Sequence, residues 1–211
     1  TSEWNMSVAK NVGKANGTTA KTQAISEAKS SWDQKADKEY FENVKDVDSY
    51  ELFKPMLAND FTKTPVTSGY TQPKLDGIRC LVNNHGMNSR SGKPINSCPH
   101  IADALKDFIK DYPSITLDGE LYNHELKSDF QKIVSLVRKV KCRPEEIAES
   151  AELVEYHIYD MFDADAPDMP FIERMHFLVK HLPVDAKIKI VETAKTDTTA
   201  DIDKMYGEYT E

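Results

Sequence analysis

The stretch from Ile78 to Ser89 leaves the backbone little choice. Two apolar-rich runs flank Asn83-Asn84-His85-Gly86, and turn residues between strand-like runs predict an antiparallel hairpin. Ser91-Gly92-Lys93-Pro94 reads as a second turn. Around this hairpin the chain alternates strand and helix patterns. Tyr70–Leu75 and Ile78–Val82 read as strands broken at Asp76-Gly77. Ile115–Tyr122 and Leu153–Phe162 read as longer strands, and Lys187–Glu192 as an alternating surface strand. Helices are expected over Ile101–Ile109, capped by Asn96 or Ser97 and ended by Pro113, and over Phe130–Val137, capped by Ser128. Two more are expected, from Pro170 to about Leu182 and from about Ala200 onward. Mixed elements with hairpins predict an α+β fold with largely antiparallel sheets and flanking helices.

The first 48 residues differ. Residues 1–17 are polar loop. Thr19 is placed to cap a helix to about residue 42, with an apolar stripe of Ala20, Ala24, Ala28, Trp32, Ala36 and Tyr40 and with Ile25 beside it. Trp32 is expected in a core. The polar connector ENVKDVDSYE marks a boundary near residue 48, which divides the chain into 1–48 and 49–211. No run approaches the ~18 apolar residues of a membrane span, the first residues are no signal peptide, and the chain has no initiator Met, as expected of a fragment.

Composition narrows the classes. With 29% charged and 39% apolar residues the chain is globular rather than disordered. Three cysteines without a close pair argue for free thiols in a reducing cytoplasm. The net charge of −8 requires that any nucleic-acid contact come from a local basic face. The most basic stretch is Arg138-Lys139-Val140-Lys141-Cys142-Arg143, read as a solvated helix end or a phosphate contact. The six histidines show no metal-ligand spacing. Asp163, Asp165 and Asp168 read as a solvated turn, and Met161 and Phe162 as core.

The chemistry sits in four segments. In Gln72-Pro73-Lys74-Leu75-Asp76-Gly77-Ile78-Arg79, a lysine at a strand end can be partly desolvated and so act as a nucleophile. Gly77 permits close approach, and Arg79 offers a forked donor to phosphate oxygens. Asn88-Ser89-Arg90-Ser91-Gly92 follows, then Leu117-Asp118-Gly119-Glu120-Leu121-Tyr122, then Tyr156-His157-Ile158-Tyr159-Asp160. A nucleotide pocket needs a stacking aromatic (Tyr159), a carboxylate for ribose hydroxyls (Glu120) and cations for phosphates (Arg79, Arg90).

Lys-x-Asp-Gly-x-Arg, Ser-Arg, Asp-Gly-Glu-Leu and an aromatic-Asp strand, in this order, resemble the covalent nucleotidyltransferase superfamily of DNA ligases, RNA ligases and mRNA capping enzymes. FKPMLA, QPKLDGIRC, DGELYNH, SLVRK and YHIYDMF resemble the ATP-dependent DNA ligases of tailed bacteriophages. NVGKANGTT…QAISEAKSSW resembles the end of a WGR-like segment. The resemblance implies an ATP-grasp-like nucleotidyltransferase domain in which Lys74 attacks ATP and holds AMP. It places Gln72 near the adenine edge, Tyr159 on adenine, Glu120 on ribose, and Arg79 and Arg90 on ribose and phosphates. Mg²⁺ is expected through waters and phosphates, with Asp76 and Glu120 as nearby carboxylates. The implied partner is nicked duplex DNA and the implied state a monomer in the cytoplasm. Replication, repair and recombination of DNA are the implied settings. The family's Glu-Gly and closing Lys-x-Lys strands are not visible before Glu211, and Lys187-Ile188-Lys189 comes too early to be the latter. The expectation is therefore a domain incomplete at its C-terminus, without its oligonucleotide-binding domain, and unable by itself to seal nicks. RNA ligase and capping guanylyltransferase are the alternatives within the superfamily. A non-catalytic scaffold and a lysine Schiff-base enzyme lie outside it.

Overall fold

The computed structural model describes residues 6–36, 55–127 and 129–210. Contacts divide the chain into two units, Thr1–Phe53 and Lys54–Glu211. In the first, helix α1 (Ala20–Ala36) starts where Thr19 accepts the Thr22 amide at 3.2 Å. The polar loop before it is fastened by Ser7 and Lys10, both bound to Glu27. The helix is described to Ala36; the expected reach to residue 42 lies outside the described residues. Trp32 is not core: it is 55% exposed, and no residue of α1 is buried. The stripe is mostly alanine, which favours helix by backbone propensity but offers little surface to bury.

In the second unit, β1 (Gly69–Thr71) pairs antiparallel with β7 (Ala194–Thr196) as a two-stranded sheet. The main sheet has the order β3-β2-β4-β5-β6, from β2 (Ile78–Asn83), β3 (Gly86–Ser89), β4 (Ile115–Tyr122), β5 (Glu155–Asp163) and β6 (Ile188–Ile190). All its pairs are antiparallel except β5–β6. The expected hairpin is β2–β3, with Asn83 paired to Gly86 at φ +108°. The largely antiparallel α+β expectation holds. Lys187–Glu192 is less of a surface strand than its alternation implied: Ile188 is fully buried against the core at the sheet edge.

One face of the sheet is apolar. Ile78, Cys80, Leu117, Leu121, Tyr156 and Ile158 join the core with residues of the helices. These helices are α2 (Pro99–Asp111), α3 (Phe130–Val137), α4 (Pro144–Leu153) and α5 (Phe171–His181). Helix α2 buries Ile101, Leu105 and Phe108, at i, i+4 and i+7. Its N-cap is Cys98, not Asn96 or Ser97. Ser97 is buried and donates instead to the Val137 carbonyl at 2.7 Å, at the end of α3. Asp129 caps α3 by accepting the Lys132 amide; Ser128 lies outside the described residues. Helix α4 was unexpected, although Pro144 at its first turn, followed by Glu145 and Glu146, is a helix start. It claims Leu153, so β5 begins at Glu155. Met161 is core and Phe162 only half-buried. Helix α6 (Thr199–Thr210) follows β7. No described helix is long and apolar enough to cross a membrane.

Candidate active site

The face of the sheet opposite the core carries the polar residues. Strand alternation puts Arg79 on β2 and Asp118 and Glu120 on β4 on this side. Arg79 is paired in register with Glu120, and Glu120 with His157 on β5. Between Asp118 and Gly119 the β4–β5 register shifts: Asp118 faces Asp160 and Gly119 faces Ile158, so Tyr159 is the extra residue of a bulge. The bulge keeps Tyr159 off the core while Met161 returns to it.

Two glycines shape this arrangement, each by closeness rather than by an unusual φ. A Cβ on Gly119 would lie 2.5 Å from the His157 carbonyl and 2.7 Å from the Tyr156 ring. That ring passes under β4 so that its hydroxyl reaches the Cys80 and Leu117 carbonyls at 2.9 and 3.2 Å. A Cβ on Gly77 would lie 2.4 Å from the Leu121 carbonyl and 2.8 Å from the Glu120 side chain. Gly77 was expected to admit a phosphate; its close neighbour in the structure is β4.

Lys74 does not end a strand. β1 stops at Thr71, and residues 72–77 form a non-strand segment on which Lys74 is exposed. The expected desolvation by a strand end is therefore absent. The segment is tied at both ends. Gln72 donates to the Tyr159 carbonyl and to Thr193 Oγ1, both at 2.9 Å, and Gly77 donates its amide to the Glu120 carboxylate. The Lys74 charge acts on Glu120, which places the amine within electrostatic reach of the carboxylate.

Glu120 is mostly buried. Desolvation outweighs the Gly77 amide and the Arg79 and Lys74 charges, and lifts its pKa from 4.5 to about 7. Arg79 is less free than expected. Its Nε and Nη2 bind both oxygens of Asp118 at 2.9 and 2.6 Å, and its Nη1 donates to the Met56 carbonyl. Its guanidinium also lies 5.5 Å from the centre of the Tyr159 ring. Tyr159 is pushed upward by burial and by the Asp118 charge, so its phenol stays neutral. Asp118, only 7% exposed, is the residue the sequence reading missed. Its signal was present: it stands two residues before Glu120, on the same face of one strand.

The outer residues are looser. Arg90 is exposed in the turn after Ser89, which pairs with Cys80 beside Arg79. Asp76 is exposed, and its charge is felt at Tyr122. The described residues hold no cluster of three or more metal-ligating side chains. With Asp118 engaged by Arg79, this fits only an ion that takes most of its ligands from a nucleotide and water. A groove of about 560 Å³ between α5 and the β6–β7 region is lined by Tyr70, Met175 and Val191 among others, and includes none of the expected site residues.

The family model described as "ATP dependent DNA ligase domain" matches residues 55–211. The chain belongs to this family. This DNA ligase domain is 25% identical over 127 residues to a DNA ligase of Haemophilus influenzae, covering 60% of this chain and 41% of that protein. It is 28% identical over 146 residues to a DNA ligase of Archaeoglobus fulgidus, covering 64% of this chain and 25% of that protein. The chain thus spans less than half of either relative. Among solved structures, its fold is similar to a Lig E DNA ligase (TM-score 0.56, 18% identity, 76% of this chain and 58% of that one). It is also similar to a Chlorella virus DNA ligase-adenylate (TM-score 0.52, 19% identity, 76% and 57%). These likenesses agree with the α+β fold expected for the domain.

Proposed function

We propose that this domain performs the lysine-adenylation chemistry of an ATP-dependent DNA ligase acting at nicks in duplex DNA. The observation that carries the reading is convergence on one sheet face. Glu120, Tyr159 and Arg79 share that face, and the segment bearing Lys74 is pinned to it through Gln72 and Gly77. Tyr159 offers its ring to adenine, and Gln72, bound beside it, lies at the base edge. Glu120 accepts from ribose hydroxyls. Arg79, held by Asp118, and Arg90 meet the phosphates. The exposure of Lys74 suits a nucleophile that the nucleotide itself covers on binding.

The Lys74 amine attacks the α-phosphorus, the P–O bond to the β-phosphate breaks, and pyrophosphate leaves. A P–N bond to AMP remains after the amine loses its proton. A magnesium ion, when bound, would neutralise phosphate charge; Asp76 and Glu120 are the carboxylates left to orient its waters. AMP then passes to a 5′-phosphate, and a 3′-hydroxyl displaces it to close the strand. On this reading the protein works as a monomer in the cytoplasm, in DNA replication, repair and recombination.

Intact-mass measurement after incubation of the longest form of the protein with Mg²⁺ and either ATP or GTP tests the proposal. The expected result is an AMP adduct that is absent from Lys74→Ala. No adduct with ATP, or a GMP adduct instead, would overturn it.

A further inference from the structure

Across the sheet, one row of residues runs Arg79, Glu120, His157, Lys189, paired strand to strand over β2, β4, β5 and β6. Arg79 and Glu120 are already part of the site; His157 and Lys189 are not. His157 is the direct cross-strand neighbour of Glu120, which sets their Cβ atoms about 4.5–5.5 Å apart on the same face.

The imidazole is fixed in place and in tautomer. Its Nε2 lies 2.8 Å from Glu155 Oε2, and the same oxygen receives the Lys189 ammonium at 2.8 Å. Lys189 and His157 together hold Glu155 below the usual carboxylate range despite its burial, so Glu155 is ionised and only accepts. Nε2 must therefore carry the hydrogen. Burial holds the His157 pKa down, so the ring is neutral and Nδ1 is a lone-pair acceptor. The Tyr122 ring meets the imidazole edge-on at 5.3 Å and limits its tilt, while the Tyr122 hydroxyl is engaged with His124. Among the described residues Nδ1 has no hydrogen-bond partner, yet it is not among the fully enclosed polar atoms, so solvent or a ligand can reach it.

Two acceptors thus stand side by side on one face: the Glu120 carboxylate and His157 Nδ1. A ligand that satisfies both must present two adjacent donors, which is the chemistry of a vicinal diol. We propose that His157 reads one of the two ribose hydroxyls of the bound nucleotide while Glu120 reads the other, with Glu155, which binds Nε2, and Lys189, which binds the same carboxylate, as positioning residues for the ring. This rests on the adenylation reading above and deepens it: the site would select ribonucleotides over both deoxy analogues.

The test is calorimetric binding of ATP, 2′-deoxy-ATP and 3′-deoxy-ATP with Mg²⁺ to the full chain and two variants. His157→Gln keeps an amide donor for Glu155 but puts carbon where Nδ1 was. His157→Asn keeps an acceptor near that position. Wild type is expected to favour ATP over both analogues. In His157→Gln, ATP affinity should fall ~3- to 10-fold, the range for one neutral hydrogen bond. The analogue lacking the hydroxyl read by His157 should bind as before, so one of the two ratios collapses. His157→Asn should restore much of that ratio. Equal weakening of all three nucleotides, identical behaviour of the two variants, or unchanged ratios in His157→Gln would each overturn the proposal while leaving the adenylation reading intact. A wild-type protein that binds no ATP would overturn both. Thermal melts of each variant separate lost fold from lost recognition.

Discussion

Replacing Glu120 by Gln is expected to stabilise the domain above neutral pH and to leave it unchanged in acid. Burial lifts the Glu120 pKa from 4.5 to about 7 in the folded protein. The sign follows from proton linkage. Between those values the folded chain keeps a proton that the unfolded chain has released, so stability falls as pH rises through this window. Below about 4.5 both states are protonated and the carboxyl costs nothing; above about 7 the full penalty is present. The difference in pKa corresponds to about 3 kcal/mol, a ceiling because the side chain keeps some contact with water. Gln is nearly isosteric, carries no charge and can still accept from the Gly77 amide. The variant should therefore melt ~6–12 °C above wild type at pH 8, and at the same temperature at pH 4. Urea or thermal unfolding of both proteins from pH 4 to 8 measures this. A difference that is flat with pH, or that grows toward acid, would refute the claim that the carboxylate is held against its own desolvation. The gain in stability should come with weaker nucleotide binding, since an anionic acceptor is lost.

Two further outcomes are expected. Gly119→Ala should destabilise the domain by the upper end of ~1–3 kcal/mol, read as a lower urea midpoint, because the new Cβ would meet a backbone carbonyl at 2.5 Å that cannot retreat without breaking the β4–β5 pairing; an unchanged midpoint would show that β5 yields. Arg138→Ala with Lys141→Ala should reduce the salt slope of DNA binding by the longest form of the protein by about 2, whereas Lys139 and Arg143, already paired with Glu146, should matter less; an unaltered slope would mark the basic loop as a solvated helix connection.

Much of the fold was legible because it is local. Turn residues fixed the β2–β3 hairpin, and the alternating stretch Ile115–Tyr122 is β4 to the residue. Glu120 and Tyr159 could be named as candidate site residues because their chemical types suit a nucleotide, and the structure puts both on the polar face of the sheet. What the sequence concealed depends on distant partners. Asp118 gains its role from Arg79, 39 residues earlier. Ser97 looks like a helix cap until Val137 supplies a carbonyl. The bulge that turns Tyr159 off the core exists only as a register shift between two strands. Lys74 followed an apparently strand-like run, but β1 finds its partner in β7 for only three residues, after which the chain must cross to β2.

That pairing has a consequence for how Lys74 reaches its place. The front of its segment is held by β7, by Thr193 and by the hydroxyl of Tyr209, which reaches the Thr71 carbonyl at 3.3 Å. All of these are translated more than a hundred residues after Lys74. On a ribosome, the sheet beneath could assemble while Lys74 still hung from an unmoored strand end, and its segment would be set last, once the chain beyond Ala194 had emerged.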